Sequence, residues 1–179
     1  SDLHLGKRLH ACSLLEDQRL ILDQVVSTAV KKNIDGLLIA GDIYDKSIPS
    51  EEAILLFDAF LKQLSMHRIS VYLISGNHDS GRRLAFAASL LQENDIHIAS
   101  LYDGTITSVE KEDAFGTVVF YLLPFVKPAM LRALDPDVQI DTYEDAFAFL
   151  LKQITLPKDK RAVLLAHQFF SGGESCDSE

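Results

Sequence analysis

The sequence predicts a layered α/β domain in which mixed β-sheets are flanked by helices. Short segments rich in Ile, Val and Leu alternate with longer segments that have helical spacing. Segments as apolar as 36–40 (GLLIA) and 161–166 (RAVLLA) are typical of strands that are buried on both faces. The 179 residues are enough for one domain with a sizeable core, so we expect a single domain over 1–179.

Further strands are predicted from apolar runs at 70–75 and 117–123. The segments 96–100, 105–109 and 117–123 are separated by short turns, which predicts an antiparallel part of the sheet. The sheets are therefore expected to be mixed.

Three segments have the spacing of amphipathic helices: 13–32, 51–64 and 142–154. Ser13 and Glu16 occupy the positions of a capping box at the start of the first, and Pro49 and Ser50 precede the second. The predicted buried faces consist of Leu22, Val25, Val26, Ala29 and Val30; of Ala53, Leu56, Phe57, Phe60, Leu61 and Leu64; and of Tyr143, Ala146, Phe147, Leu150, Leu151 and Ile154.

A fourth predicted helix, 82–91, is apolar on most of its circumference. A helix of this kind is buried on most sides. Residues such as Phe86 and Leu90 could pack in the core of their own chain or against a second copy, and the sequence leaves both alternatives open, with the core favoured.

The charge balance is acidic, with 26 Asp and Glu against 17 Lys and Arg and a net charge of −9. This disfavours simple electrostatic DNA binding, although two bound divalent cations would return four positive charges at one place. Lys7, Arg8, Arg82 and Arg83 are the best local candidates for contacts with a DNA backbone.

Cysteine usage and hydropathy indicate the cellular compartment. The two cysteines, Cys12 and Cys176, form no CxxC spacing, so a reducing cytoplasm fits better than a disulfide framework or a zinc site. No apolar run approaches the roughly 18 residues that span a membrane, so no membrane partner is expected.

Polar side chains follow the predicted strands at the points where these end: Asp42, Asn77, His78 and His167, with Asp2 and His4 at the start of the chain. Ligands of α/β proteins bind beyond the carboxyl ends of the strands, so these side chains are expected to converge. Oxygen and nitrogen donors without a thiolate suit Mn²⁺ or Fe. An extended Asp2–His4 segment would point both polar side chains the same way.

The motifs DxH, GDxxD, GNHD and a post-strand histidine occur in this order, and together they resemble the calcineurin-like metallophosphoesterase superfamily. More narrowly, the chain resembles the nuclease subunits of bacterial double-strand-break repair complexes. The matching segments are SDLHLGKRL (1–9), AGDIYDKSIPS (40–50), SGNHDSGRRL (75–84), LPFVKPA (123–129) and AHQFFSGGE (166–174).

The resemblance implies a metallophosphoesterase fold with two divalent metal ions, of which Mn²⁺ is expected and Mg²⁺ is the alternative. It implies that Asp2 and His4 bind the first ion, that Asp42 bridges both, and that Asn77 and His167 bind the second.

The resemblance also implies catalytic roles for His78 as an unligated general acid or phosphoryl donor, and for Asp45 as the residue that orients it. Asp79 is interpreted as structural. The later GHxH motif of the family does not occur, and the first strand of the fold, expected before Ser1, is not in the sequence. The fold is therefore expected to be incomplete at both ends.

Three functions are compatible with these residues. The first is a metal-dependent DNA exonuclease and endonuclease in double-strand-break processing. Because no GxxxxGK[ST] loop occurs, an ATPase would be a separate chain, and the resemblance implies a nuclease homodimer within a heterotetramer. The second is a phosphoprotein phosphatase or small-molecule phosphodiesterase. The motifs disfavour the protein phosphatases, which typically read GDxxDRG and GNHE where this chain has GDIYDKS and GNHD. The third is a non-catalytic assembly or DNA-binding domain, disfavoured by the intact polar residues.

Overall fold

The computed structural model describes residues 1–169, so residues 170–174 of the last motif and Cys176 lie outside the described part. The strands are β1 (Arg8–Leu9), β2 (Cys12–Ser13), β3 (Gly36–Ala40), β4 (Ser70–Ile74), β5 (Ile96–Ala99), β6 (Thr107–Asp113), β7 (Gly116–Leu123) and β8 (Arg161–Ala166). The helices are α1 (Leu15–Lys32), α2 (Glu51–Met66), α3 (Gly81–Leu84), α4 (Ala88–Gln92), α5 (Pro128–Leu134) and α6 (Tyr143–Leu151). Within this part of the chain, no helix is long and apolar enough to cross a membrane.

Two three-stranded sheets form the centre of the molecule, and β1 and β2 form a separate hairpin. The first sheet, in the order β3-β4-β5, is parallel, whereas β7 of the second sheet pairs antiparallel with β6 and parallel with β8. The predicted mixed α/β architecture is confirmed. The grouping of 96–100 with the antiparallel strands is wrong, because α3 and α4 form a crossover that returns β5 parallel to β4.

The strands distribute their side chains between two layers. In β4, Val71 and Leu73 pack in the core beneath α1 and α2, while Tyr72 and Ile74 pack in a cluster with Leu122 of the second sheet. This is the period-2 alternation of a strand with two covered faces. Helices α5 and α6 pack with Leu123 on the other side of the second sheet, which gives the layer order α, β, β, α.

Burial on both faces holds for the central strand β4 but not for β3 and β8, which lie at the edges of their sheets. Leu38 in β3 is 40% exposed, and Leu164 in β8 is 37% exposed. For the edge strands β3 and β8, the apolar composition therefore predicts more burial than the structure shows.

The helices predicted over 51–64 and 142–154, which correspond to α2 and α6, have capped N-termini. The Ser50 side chain accepts a hydrogen bond from the Ala53 main-chain N–H, and all six predicted apolar residues of α2 are buried. Helix α6 begins with a capping box between Thr142 and Asp145. These bonds satisfy N–H groups that have no partner within the helix.

The start of the first helix differs from the prediction. The capping box of Ser13 and Glu16 is wrong: Ser13 belongs to β2, and its hydroxyl accepts from the Leu15 N–H at 3.4 Å. Three residues assigned to the buried faces are partly exposed, namely Val30 (43%), Tyr143 (37%) and Leu151 (40%).

The single helix predicted over 82–91 is also wrong. The chain forms α3 and α4, separated by Ala87 in a left-handed conformation (φ 59°). Leu84 is buried, but Phe86 and Leu90 are 84% and 65% exposed, so the core interpretation fails for these two residues. The break after α3 turns them away from the core.

A polar cluster around Asp95 connects the two sheets. The Asp95 carboxylate accepts hydrogen bonds from Lys111 at 2.7 and 2.8 Å, from His97 at 2.8 Å and from the Ser70 hydroxyl. Burial raises the pKa of Asp95, but these hydrogen bonds outweigh it and lower the pKa from 3.8 to about 2. The ionised form is therefore favoured in the folded state.

We expect Asp95 to make stability depend on pH in the acid range. Because its folded pKa is depressed, its contribution is present above pH 3.8 and is lost as the pH falls towards about 2. In urea titrations, the deficit of Asp95→Asn relative to the unmodified protein should shrink to about half or less between pH 6 and pH 2.5. The exposed Glu112→Gln variant is the control, and an Asp95→Asn deficit that is equal at both pH values contradicts the assignment.

Candidate metal centre

The polar residues predicted to converge lie at one edge of the stacked sheets. Asp42 follows β3, Asn77 follows β4, and His167 follows β8 directly. The start of the chain runs beside 41–43: the N–H groups of Asp2 and His4 donate to the carbonyls of Gly41 (3.1 Å) and Asp42 (3.0 Å). Main-chain hydrogen bonds thus bring the DxH motif to the end of β3.

The donor atoms form two clusters that share one carboxylate. Ligand atoms of Asp2, Asp42 and His167 lie within 4.8 Å of one another, and so do those of His4, Asp42 and His78. Asn77 adds an amide oxygen beside His167. A carboxylate common to two donor sets is the arrangement that holds a pair of cations close together.

His167 is oriented by a hydrogen bond to a main-chain carbonyl of β3. Its Nδ1 lies 2.9 Å from the carbonyl oxygen of Ala40, and because a carbonyl only accepts, Nδ1 carries the proton. In the neutral ring the bare Nε2 then lies 3.0 Å from Asn77 Oδ1 and 3.5 Å from Asp42 Oδ2. Three electron-pair donors that face one point are suited to a bound cation.

The His4 ring lies among three carboxylates of the site, and none of them is within hydrogen-bonding distance of it. Its Nε2 lies 3.9 Å from Asp2 Oδ1 and 3.8 Å from Asp42 Oδ2. Its buried Nδ1 lacks a hydrogen bond within the described chain, with Asp45 Oδ1 4.0 Å away. Buried polar atoms are normally paired, so this ring fits a site whose ligand is a metal ion.

Asp42 is the most buried acidic residue of the site, at 3% exposure. One oxygen accepts the His78 main-chain N–H at 2.9 Å, and the other faces the two histidines. Within residues 1–169, no lysine or arginine lies within ion-pairing distance of Asp42. A buried carboxylate without a cationic partner is costly, and bound metal ions would compensate for it.

His78 is exposed and lies at the rim of the site. Its Nδ1 is 3.1 Å from the main-chain carbonyl of Asp45, while the Asp45 carboxylate is nearer to His4. The contact between the two predicted catalytic residues therefore runs through the Asp45 main chain. Because the carbonyl accepts, Nδ1 is protonated, and in the neutral ring Nε2 is the bare nitrogen.

The DxH segment is not the extended strand that the alternate spacing suggested. Asp2 and His4 have left-handed backbone conformations, with φ of 59° and 43°, and Asp42 has φ of 50°. Such conformations cost about 1–3 kcal/mol each in non-glycine residues and concentrate at functional sites. Leu3, between Asp2 and His4, packs against the core.

Two glycines make the close approach of the loops possible. A Cβ on Gly76 would lie 2.0 Å from Asp42 Oδ1, and a Cβ on Gly41 would lie 2.7 Å from the His167 ring. Any side chain at these positions would displace a donor. These glycines therefore permit the tight backbone at the ends of β3 and β4.

Asp79 joins the two loops that carry Asp42 and Asn77. Its carboxylate accepts the main-chain N–H groups of Ile43 (3.1 Å), Tyr44 (3.0 Å) and Gly76 (2.9 Å). The structural interpretation of this residue is correct but incomplete, because its bonds fix the position of one loop relative to the other. The sequence indicates Asp79 only through its place in the GNHD motif, because its partners Ile43 and Tyr44 lie 36 and 35 residues away.

The fold and the shared-carboxylate site define a phosphoesterase of the calcineurin-like type. The sequence profile of this family, calcineurin-like phosphoesterase, matches residues 1–176, and the chain belongs to it. Among curated proteins, the chain is similar to SbcD of the nuclease SbcCD from Staphylococcus epidermidis, with 35% identity over 182 aligned positions. The alignment covers 100% of this chain and 48% of the relative, so the chain spans about half the length of the curated relative it matches.

Proposed function

We propose that this chain carries part of the metal centre of a DNA nuclease subunit that hydrolyses phosphodiester bonds as exonuclease and endonuclease. The observation that carries the proposal is the sharing of Asp42 by two donor clusters, one with Asp2 and His167 and one with His4 and His78. The similarity to a protein named as a component of the nuclease SbcCD favours DNA over other phosphoesters. Double-strand-break processing is the setting that we propose for this activity.

We assign Asp2 and His4 to the first metal ion, Asp42 to both ions, and Asn77 and His167 to the second. Asp2 Oδ1, which also clusters with His167, lies 3.9 Å from His4 Nε2. His78 belongs to the cluster with His4, and we assign it to proton donation without binding a metal ion. The 3.0 Å approach of His167 Nε2 to Asn77 Oδ1 supports the second group. Oxygen and nitrogen donors without a thiolate favour Mn²⁺, with Mg²⁺ as the alternative.

Two divalent cations, when bound, supply Lewis-acid activation of a water molecule and of the phosphoryl oxygens. The chain supplies the rest of the chemistry. In its protonated form, His78 can donate from Nε2 to a phosphoryl or leaving-group oxygen. The Asp45 carbonyl holds the ring in this orientation through Nδ1.

Replacing His78 with alanine is expected to lower kcat by about 100- to 10,000-fold, the usual contribution of a positioned acid or base. Metal binding and folding should be retained, because Asp42 accepts from the main-chain N–H of residue 78, which alanine keeps. Calorimetric titration with Mn²⁺ and single-turnover cleavage measure the two effects separately. The exposed His67→Ala variant, at the C-terminus of α2, is the control. Full activity of His78→Ala would contradict the role.

The proposed partners are DNA and an SbcC-type ATPase subunit, in a cytoplasmic complex. Arg8, Arg82 and Arg83 are exposed and belong to the segments that carry the first and third motifs, so they are our candidates for phosphate contacts. The acidic balance of the chain makes the metal ions the main source of positive charge.

We propose that the nuclease subunit forms a homodimer within a heterotetramer, and that the exposed apolar surface of α3 and α4 contributes to the dimer. Phe86 and Leu90 are 84% and 65% exposed, and they supply the large apolar side chains of this surface. In light scattering of the full-length protein, Phe86→Ser with Leu90→Ser is expected to shift the mass from dimer to monomer. Phe115→Ser, which is 87% exposed on the β6–β7 turn, is the matched control. A dimer that persists in the double variant would exclude this surface.

The function is tested with the full-length protein and Mn²⁺ on linear duplex DNA and on a generic aryl phosphodiester. We expect cleavage of both, with kcat/KM at least about 100-fold higher for DNA because additional binding contacts are used. Chelation of the metal should abolish both reactions. Hydrolysis of the aryl ester without cleavage of DNA would favour the small-molecule phosphodiesterase, and metal binding without either reaction would favour a non-catalytic domain.

A further inference from the structure

An exposed aromatic ring borders the proposed metal centre. Phe169 is 61% exposed, and it lines a cleft of about 290 Å³ together with Asp2, Asn77 and His167. Three of these four residues are metal-ligand candidates. A flat apolar surface therefore stands beside the position that a scissile phosphate would occupy.

The ring of Phe169 is supported by two other aromatic rings. It makes edge-to-face contacts with Phe125 (centroid distance 5.6 Å) and Tyr143 (5.1 Å). Phe125 is itself buried and lies edge-to-face with His167 at 6.4 Å. An edge-to-face contact occupies only part of a ring's surface. The two contacts therefore fix Phe169 near the site while most of its side chain stays exposed.

Because the chain is acidic, substrate binding needs contacts that do not depend on positive charge. With a net charge of −9, electrostatic attraction of a nucleic acid is weak away from the metal ions. Stacking of a base on an aromatic side chain does not depend on positive charge, and it changes affinity by about 5- to 150-fold per base. It also tolerates any base, because every base has a π-face.

We propose that Phe169 is a substrate-binding residue that stacks on the nucleobase next to the scissile phosphodiester. The proposal rests on the proposed nuclease function. It assigns the chemical class of the group bound in this cleft, a planar heteroaromatic base of an unpaired or frayed nucleotide, since a base within a duplex stack has no free face.

The experiment uses the full-length protein with Mn²⁺ and a set of single-stranded oligonucleotides, each with one abasic nucleotide near the cleavage site. For the unmodified protein, we expect one abasic position to raise KM by about 5- to 50-fold. Phe169→Leu should raise KM for the intact oligonucleotide by a similar factor, leave kcat within about 3-fold, and abolish the sensitivity to the abasic position. Phe169→Trp should restore the low KM.

Phe115→Leu is the matched control, because this ring is 87% exposed at the opposite end of β7 from the site. It should behave as the unmodified protein does. The abasic series on the unmodified protein needs no variant, so a folding defect of Phe169→Leu does not affect it. If no abasic position raises KM although the oligonucleotides are cleaved, the stacking proposal alone is overturned. Hydrolysis of the aryl ester without cleavage of any oligonucleotide overturns the nuclease function and the stacking proposal together.

Discussion

Replacing Asp42 with asparagine is expected to abolish the binding of two metal ions and to lower kcat by about 1,000-fold or more. Asp42 is the donor common to both clusters, so its loss weakens both ion sites at once. Metal ions supply several kcal/mol of transition-state stabilisation, which corresponds to a factor of this size. Asparagine keeps the volume and one acceptor oxygen for the His78 main-chain N–H. The substitution therefore removes charge and leaves the local packing in place.

The same substitution should have the opposite effect on the metal-free protein. Asp42 is 3% exposed and faces two histidines, so removal of its buried charge relieves an uncompensated cost. In the presence of a chelator, we expect the free energy of unfolding of Asp42→Asn to equal or exceed that of the unmodified protein by about 1 kcal/mol. Addition of Mn²⁺ should then stabilise the unmodified protein only, as measured by thermal unfolding.

Glu112→Gln serves as the control for this experiment, since Glu112 is an exposed acid in β6 that is remote from the cluster. It should keep the Mn²⁺-dependent stabilisation. If Asp42→Asn still binds two ions with unchanged affinity, the shared-carboxylate assignment is wrong.

Replacing Asp79 with alanine is expected to weaken metal binding although Asp79 is not itself a proposed ligand. The substitution leaves three main-chain N–H groups without their acceptor, in Ile43, Tyr44 and Gly76. Loss of these bonds should cost about 2–4 kcal/mol of stability. Because they hold the Asp42 loop against the Asn77 loop, Mn²⁺ affinity should also fall by about 10- to 100-fold, as for other residues that support ligands.

Asp145 provides a matched control for this effect. Its carboxylate also accepts main-chain N–H groups, from Asp141 (3.3 Å) and Thr142 (3.0 Å), but at the start of α6. Asp145→Ala should lower stability and leave Mn²⁺ affinity unchanged. Titration calorimetry and the spin-coupled EPR signal of a manganese pair distinguish the two variants. Equal Mn²⁺ affinity in Asp79→Ala and Asp145→Ala would reduce Asp79 to a purely structural residue.

The sequence predicted those parts of the fold whose pattern is local. The bounds of β3 and β8 agree with the apolar runs 36–40 and 161–166, because a run of apolar residues between polar turns identifies a strand by itself. Helix α2 was equally accessible, since Ser50 caps it and its apolar face repeats every three to four residues.

The sequence could not resolve the segment 82–91, because a helix that is apolar all round gives no information on which side is covered. The left-handed conformation of Ala87 breaks this segment and leaves Phe86 and Leu90 exposed. Alanine favours helices, so nothing local indicates the break. Tertiary packing decided it.

At the site, the sequence by itself determined which donors are present and that Asp42, Asn77 and His167 each follow a strand. Only the tertiary structure decided how they are paired: His167 with the carbonyl of Ala40, 127 residues away, and His78 with the main chain of Asp45. The physical reason is that the chemistry of a donor belongs to its side chain, whereas its distance from another donor depends on how two sheets stack and where their loops turn. A hydrogen bond to a main-chain group, such as those of Asp79, has no partner residue type that a sequence could reveal.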